Sequence, residues 1–309
     1  MSFTTSVKNE ISSIYDNLNA TRAELSAIIR NSYKKDENKI EIITESSTIC
    51  KHIYTLFKEI YNINVQTDYK ITKFSKNRLY MININDKLDL ILKDLEVFDD
   101  NNKYKEKPSS YFLEVEDEKR AYLKGVFLMC GSVNDPKTSM YHLEFFIDNK
   151  EEADFISSLL NEFYLNSKII ERDKGYMVYL KEAEKIGDFL RIINASNAVL
   201  YYEDIRIYRD HKNMTNRLNN CEQANFEKSL QSANNQIEDI NLIIEKIGLE
   251  ALDDKLNEII TYRLKYPEVS LQELSEIITF ETGKLITKSG LNHRFRKLKE
   301  IANKLKNNN

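Results

Sequence analysis

The sequence has 309 residues, which is too many for one ordinary domain and predicts two or three. Apolar residues make up 41% and charged residues 30% of the chain, a mixture that excludes a disordered tail and supports buried cores. There is no stretch of 18 apolar residues, no secretory signal pattern and no CxxC pair, so we expect a cytoplasmic protein with no membrane segment, disulfide framework or zinc knuckle.

Residues 22–95 show one set of alternating elements. An apolar helical stretch at 22–32 is followed by an alternating strand at 39–44 and an amphipathic helix at 47–61. Two strands and a helix complete the set, at 64–72, 78–83 and 87–95. The predicted order is therefore α-β-α-β-β-α.

The same order recurs about a hundred residues further on. A helical stretch at 120–131 matches the first one, with Leu123 in the place of Leu25 and Gly125 in the place of Ala27. The remaining elements follow at 141–147, 150–164, 168–172, 176–180 and 183–193. Glycine inside a helix costs about 1 kcal/mol relative to alanine, and close approach of two backbones is its usual reason. We therefore predict that the two helices pack at their small residues and join the repeats as a pseudo-dimer.

These repeats divide the chain into predicted parts. The boundaries are 1–95 for the first repeat, 96–117 for a connector, 118–210 for the second repeat, 211–245 for a linker helix region and 246–309 for a C-terminal domain. A polar segment at 216–225 lies in the linker. We favour the interpretation that this segment is the capped beginning of a linker helix. The alternatives are an interdomain hinge and a contact of Arg217 with a DNA phosphate.

Charge is unevenly distributed along the chain. Residues 1–210 hold 30 basic and 35 acidic residues, a net charge of −5. Residues 284–309 hold eight basic residues and one acid, Glu300, a net charge of +7. A small basic end on an acidic body is typical of proteins that bind nucleic acid, although a solvated helix face gives the same count.

The C-terminal domain is predicted to contain three helices. Ser270 and Glu273 form a capping-box pattern shortly after Pro267, and the break at 279–286 is longer than a tight turn. Three apolar stripes at helical spacing follow one another: Leu249, Leu252, Leu256, Ile259, Ile260 and Leu264, then Leu271, Leu274, Ile277 and Ile278, then Leu291, Phe295, Leu298, Ala302 and Leu305. Together they predict a helix-turn-helix whose third helix begins near 287–290.

The third helix has the two faces that a DNA-recognition helix needs. One face carries the apolar stripe, and the other carries hydrogen-bonding and cationic side chains that suit base edges and phosphates. The candidate DNA-binding residues are Lys288, Ser289, Asn292, His293, Arg294, Arg296, Lys297 and Lys299. His293 either contacts DNA or covers the helix, and Arg294 lies at the margin of the outer face. We expect Arg294→Ala and Arg296→Ala to weaken DNA binding more than any change on the predicted sheets.

The repeats resemble the LAGLIDADG homing endonucleases, because a Leu-x-small-apolar-apolar pattern heads each α-β-α-β-β-α unit. The resemblance implies that an Asp or Glu near the end of each paired helix would bind the metal ions that cut DNA. The matching residues here are Ser32 and Cys130, which cannot do this. Asp36 and Asp135 lie further on, and Asp135 in Asn-Asp-Pro fits a turn. We therefore expect no nuclease activity, no metal and no other cofactor.

More specific blocks resemble the WhiA family of transcription regulators. They lie in the expected order at 125–128, 131–136, 141–144, 176–181, 216–225, 267–274 and 288–294. The most specific block is NRLNNCEQAN, at 216–225. Thr287 stands where the family resemblance leads us to expect Ser, and both residues can cap a helix.

The resemblance implies an α+β fold, with two LAGLIDADG-like repeats forming a pseudo-dimer and an all-α helix-turn-helix domain similar to region 4 of a sigma factor. It implies a non-enzymatic, nucleoid-associated regulator that binds double-stranded DNA at promoters. The implied roles are in cell division, chromosome segregation and, in spore formers, sporulation. Two alternatives stay open: a scaffold that docks a sigma factor, RNA polymerase or a division protein, with secondary DNA contact, and a metal-dependent nuclease with relocated carboxylates.

Overall fold

A computed structural model describes residues 2–32, 39–71, 78–138 and 140–307. The chain divides into two compact units, Met1–Arg209 and Asp210–Asn309. Two residues of the sequence analysis lie outside the described residues: Asp36, the carboxylate that follows Ser32 in the chain, and Thr72, the last residue of the strand predicted at 64–72. None of the described helices is both long and apolar enough to cross a membrane.

The first repeat has the predicted order of elements. Its helices are α2 (Leu18–Arg30), α3 (Ser47–Tyr61) and α4 (Leu88–Asp94), and its strands are β1 (Ile40–Thr44), β2 (Gln66–Ile71) and β3 (Arg78–Ile84). The strands form an antiparallel sheet in the order β1-β3-β2, with Ile42 opposite Ile82. Both of these side chains are fully buried, so the pairing register turns one face of the sheet toward the helices.

The second repeat follows the same plan, and the part of the chain that the structure describes shows one more strand in it. Its helices are α5 (Glu116–Cys130), α6 (Lys150–Glu162) and α7 (Ala183–Ile192). Its strands are β4 (Gly131–Val133), β5 (Leu143–Ile147), β6 (Lys168–Arg172) and β7 (Gly175–Leu180), in the antiparallel order β4-β5-β7-β6. The edge strand β4 was not predicted, because three residues are too few to show alternation.

Helices α2 and α5 pack side by side at the centre of the unit Met1–Arg209, as predicted. A Cβ atom on Gly125 would lie 2.5 Å from the backbone oxygen of Glu24 and 2.9 Å from the Cβ of Ala27. Only a residue without a side chain allows this approach. The buried Lys124 ammonium then reaches the Glu24 carboxylate at 2.9 Å and that of Asp16 at 2.5 Å, and Glu24 also meets His52 at 2.8 Å. The helix pair is therefore held by backbone contact and a buried ion network.

An N-terminal helix that the sequence analysis missed, α1 (Phe3–Ile11), contacts both repeats. Thr4 exchanges hydrogen bonds with the backbone of Val133 in β4, at 2.8 and 2.9 Å. The Oδ1 of Asn9 accepts a hydrogen bond of 3.0 Å from Ser46, which caps α3. Val7 and Ile11 are fully buried in the same core as the two sheets. Helix α1 is thus an integral part of the scaffold.

The chain continues into α8 (Ser196–Ile247), a helix of 52 residues. The polar block 216–225 lies within it, and residues 211–228 are all exposed. The block is therefore helical along its whole length, and it does not begin the helix. The predicted domain boundaries stay predictions, and the contacts within the chain divide it at 209/210.

Three helices follow in the unit Asp210–Asn309: α9 (Asp254–Lys265), α10 (Leu271–Thr282) and α11 (Lys288–Asn307). Ile240 and Ile243 of α8 join the buried faces of these helices in one apolar core. The first predicted stripe was too long, because Leu249 lies in a short 3₁₀ turn and Leu264 is 42% exposed. Helix α9 begins after Asp253, whose side chain accepts a hydrogen bond from the backbone of Leu256 at 2.8 Å.

Candidate nucleic-acid interface

The turn between α10 and α11 is fixed by local hydrogen bonds. Ser270 and Glu273 form the predicted capping box at the beginning of α10. Gly283 ends this helix in the left-handed conformation, with φ of 69°, which glycine adopts without strain. The Thr279 hydroxyl accepts a hydrogen bond of 3.1 Å from the backbone of Ile286, and Thr287 accepts one of 3.1 Å from the backbone of Gly290. Thr287 therefore caps α11, as the sequence indicated.

The apolar face of α11 attaches it to the other helices. Leu291, Phe295, Leu298 and Ala302 are buried at steps of three and four, and Leu305, the last residue of the predicted stripe, is partly buried. This packing fixes the rotation of the helix about its axis. The opposite face is consequently the one that remains available to a ligand.

A buried arginine strengthens this attachment, and sequence reasoning did not find it. Arg263 of α9 is 1% exposed and donates hydrogen bonds to the backbone oxygens of Val269 at 2.7 Å and Tyr266 at 3.3 Å. Its guanidinium lies over the Phe295 ring, 5.4 Å from the centroid. Burial lowers the pKa of this guanidinium. Arg263 thus holds the segment before α10 and a core residue of α11 together.

The structure places seven of the eight candidate residues on exposed positions of α11. They are Lys288, Ser289, Asn292, His293, Arg296, Lys297 and Lys299. Arg294 differs, because its side chain is only 25% exposed and its guanidinium lies 3.7 Å from the carboxylate of Glu258 on α9. Arg294 is therefore directed toward the neighbouring helix and away from the outer face.

In the C-terminal part of the unit Asp210–Asn309, the positive charge is concentrated on α11. Helix α10 carries Glu273, Glu276 and Glu281 and no basic residue. The Lys265 ammonium of α9 lies 3.1 Å from the Glu281 carboxylate and compensates its negative charge. A polyanion approaching this unit thus meets its strongest attraction at α11.

The scaffold residues at the positions of the homing-endonuclease carboxylates have local structural roles. The Ser32 hydroxyl donates to the backbone oxygen of Ile28, one turn back in the chain. Burial raises the pKa of the Cys130 thiol to about 12, so the thiol stays protonated at neutral pH. Asp135 accepts hydrogen bonds from the backbone of Lys137 and from the Tyr201 hydroxyl, as a turn residue does. No group of three His, Cys, Asp or Glu side chains within the described ranges could hold a metal ion.

A lysine of α1 lies beside this vestigial position. The Lys8 ammonium is 5.7 Å from the centroid of the Phe127 ring. Burial lowers the pKa of Lys8, and the nearby Cys130 sulfur acts in the opposite direction. The Lys8 ammonium therefore lies in the same buried environment as the Cys130 thiol.

The fold and the basic helix define the class of this molecule: a helix-turn-helix protein built onto a duplicated LAGLIDADG-like scaffold. Three family models match the chain, the WhiA N-terminal LAGLIDADG-like domain at residues 19–98, the WhiA LAGLIDADG-like domain at 119–212 and the WhiA C-terminal HTH domain at 215–302. The chain belongs to the WhiA family.

Relatives of similar length support this assignment. The chain is 44% identical to proteins named "Probable cell division protein WhiA" in Bacillus velezensis and Bacillus subtilis, and 45% identical to one in Bacillus cereus. Each alignment covers 99% of this chain and 98% of the relative. The crystal structure of full-length WhiA from Thermatoga maritima matches with a TM-score of 0.57 and 23% identity, over 98% of this chain and 99% of that one. That likeness concerns the fold.

Proposed function

We propose that this protein is a non-enzymatic transcription regulator that binds double-stranded DNA through the exposed face of α11. The observation that carries the proposal is the combination of a buried apolar stripe and an opposite face of Asn292, Arg296 and Lys297 on one capped helix. Helices of this kind enter the major groove, where Asn and Arg recognise bases and Lys neutralises phosphates. Lys288 and Ser289, at the beginning of the helix, are placed for a phosphate.

The proposal assigns no chemistry to the scaffold. A protonated thiol at Cys130 and a hydroxyl bonded to its own helix at Ser32 do not supply the carboxylates that metal-assisted phosphodiester cleavage requires. A regulator that acts only by binding DNA needs no catalytic residues in the scaffold, which then serves to support the DNA-binding unit. The nuclease with relocated carboxylates is therefore the weaker alternative.

The family resemblance and the names of the relatives support a role in cell division. Roles in chromosome segregation and sporulation, and a cytoplasmic location on the nucleoid, belong to the same proposal. They follow from the sequence resemblance, and the DNA-binding unit is compatible with them.

A protein-docking role of the scaffold is the second candidate, and one surface favours it. Phe146, Met177 and Ile170 lie side by side on three adjacent strands, β5, β7 and β6. Phe146 is 44% and Ile170 is 37% exposed. An apolar row across a sheet suits a protein surface better than a phosphate backbone. A sigma factor or RNA polymerase would be the occupant if the regulator acts at promoters.

Fluorescence anisotropy with the full chain tests DNA binding and its location together. We expect the parent protein to bind a labelled duplex of mixed sequence with an affinity that falls steeply along a potassium chloride series, by a log–log slope of about −0.9 for each phosphate contact. The double variant Arg296→Ala/Lys297→Ala is expected to bind weakly and with a shallower slope.

The matched control removes two cations from the scaffold. Lys168 and Arg172 are exposed on the edge strand β6, and the variant Lys168→Ala/Arg172→Ala loses the same charge as the α11 variant. We expect it to bind as the parent does. Equal loss in both variants would place DNA on the scaffold and contradict the proposal. A pull-down of RNA polymerase that persists in the α11 variant would support the docking role.

A further inference from the structure

A groove of about 500 Å³, lined by polar and apolar side chains, lies alongside the proposed recognition helix, within the unit Asp210–Asn309. One wall is the segment 228–239 of α8, and the other is α11. The wall on α8 presents Lys228, Gln231 and Asn235, and the wall on α11 presents Asn292, Arg296 and Lys299. Phe295 and Leu298 also line it. Three of the candidate DNA-binding residues therefore face a second helix that the sequence analysis assigned to a linker.

The groove carries positive charge from both walls. Lys228 contributes from α8, and Arg296 and Lys299 contribute from α11. The acid in the groove, Asp239, is buried and lies 2.9 Å from the Lys306 ammonium, so its charge is compensated. The same ion pair joins α8 to α11. Glu227 and Glu238 of α8 are not among the residues that line the groove.

The side chains on the α8 wall follow one helical row. Lys228, Gln231 and Asn235 are spaced by three and four residues, and the Gln231 amide donates to the Asn235 side chain at 2.9 Å. The row spans eight residues, from 228 to 235, and its seven steps extend over about 10 Å of helix, since each residue rises about 1.5 Å. One DNA strand presents a phosphate about every 3.4 Å along the duplex axis, and neighbouring phosphates lie further apart along the winding strand itself, so the row is long enough to reach more than one phosphate.

We propose that a phosphodiester strand of the duplex bound by α11 runs along this groove, and that residues 228–235 of α8 form a second DNA-contacting wall. The proposal rests on the proposed function and adds a set of backbone contacts to it. Lys228 neutralises a phosphate, and the Gln231 and Asn235 amides contact phosphate oxygens. Contacts of this kind fix the orientation of a recognition helix without reading sequence.

The net charge of this part of the sequence gives no indication of the α8 wall. The segment 225–247 contains two basic and four acidic residues, so its net charge is −2. Only the fold separates Lys228 from the acids and places it opposite Arg296 and Lys299.

The test uses the full chain, a labelled duplex of mixed sequence and a potassium chloride series. Lys228→Gln is expected to reduce the log–log slope by about 0.9, the loss of one phosphate contact. Gln231→Ala and Asn235→Ala are expected to weaken binding without changing the slope, because they remove no charge. Lys246→Gln, an exposed lysine in the last turn of the same helix and outside the groove, is the matched control and should bind as the parent does.

Phosphate-ethylation interference separates a direct contact from a structural effect. In the parent complex we expect a phosphate whose ethylation blocks binding and which no longer interferes in the Lys228→Gln complex. If Lys228→Gln and Lys246→Gln give the same slope and the same interference pattern, the second wall is excluded, while weak binding by the α11 variant would still support the proposed function. A parent chain that binds no duplex under any salt condition would overturn both.

Discussion

Gly125 of α5 lies against the backbone of Glu24 in α2, so that a Cβ atom at this position would be 2.5 Å from the Glu24 oxygen. The obstructing atom belongs to the backbone of the other central helix and cannot rotate away. This contact brings the two helices close enough for the buried Lys124 ammonium to reach the Glu24 carboxylate at 2.9 Å. The joining of the two repeats therefore depends on the absence of one methyl group.

We expect Gly125→Ala to destabilise the unit Met1–Arg209 by about 1–3 kcal/mol, the usual cost of forcing an extra carbon into a packed interior. For a domain of this size each kcal/mol lowers the melting temperature by about 2–4 °C. Differential scanning calorimetry of the full chain measures the change. Gly290→Ala is the control, because its nearest neighbour would be the Thr287 hydroxyl at 3.4 Å. Unchanged melting of Gly125→Ala would disprove the close-packing argument.

Lys8 makes the stability of the scaffold depend on pH. Burial lowers its pKa below the ordinary value of 10.5, so the unfolded chain holds this proton more tightly than the folded one. The resulting cost is complete below the lowered pKa and disappears as the pH rises to about 10.5. We expect Lys8→Met to raise the melting temperature at pH 7, with a difference that shrinks toward pH 10.5. Lys51→Met, at an exposed site on α3, should show no such pH trend. A constant difference at every pH would argue against burial as the cause.

Arg263 is expected to be essential for the helix-turn-helix. Arg263→Met retains most of the apolar stem but leaves the Val269 and Tyr266 oxygens without their donor. An unsatisfied buried polar group costs about 1–3 kcal/mol, so the melting temperature of the unit Asp210–Asn309 should fall. Arg217→Met, at an exposed position of α8, is the control and should melt as the parent does. Equal melting of the two variants would mean that the buried arginine is dispensable.

Arg294 and Arg296 are expected to differ in DNA binding, although the sequence predicted that replacing either one by alanine would weaken it. Arg296 is exposed on the outer face, whereas Arg294 lies 3.7 Å from Glu258. Arg296→Ala should reduce the salt slope of binding by about 0.9, and Arg294→Ala should reduce it by less. Glu258→Gln provides the complementary test, because it releases Arg294 while leaving its charge. The assignment fails if Arg294→Ala has the larger effect on the slope.

The sequence predicted what depends on periodicity and failed where an isolated contact decides. The spacing of Leu291, Phe295 and Leu298 identified the buried face of α11, because a helix repeats every 3.6 residues. The paired helices followed from small residues at matching positions of two repeats. Arg263 was missed, because a charged residue is normally exposed and only the fold supplies its buried acceptors.

Two other features had no local signal. Helix α1 is short and begins with Ser2 as its cap, a pattern that many non-helical segments share. The segment 211–228 of α8 is exposed on all sides, so it has no apolar stripe that could reveal a continuous helix. The groove lined by Lys228 and Arg296 needs residues about seventy positions apart in sequence, and no spacing rule joins them.

The proposed function requires that α11 bind duplex DNA and that the scaffold leave it intact. Incubation of supercoiled plasmid with the full chain and magnesium, followed by agarose electrophoresis before and after removal of protein, measures both. We predict retarded plasmid for the parent, unretarded plasmid for the charge-reversed variant Arg296→Glu/Lys297→Glu, and fully supercoiled plasmid recovered from both. Nicked or linear plasmid from the parent would show that the protein cuts DNA, and equal retardation by the variant would show that α11 does not hold it; either result would disprove the proposed function.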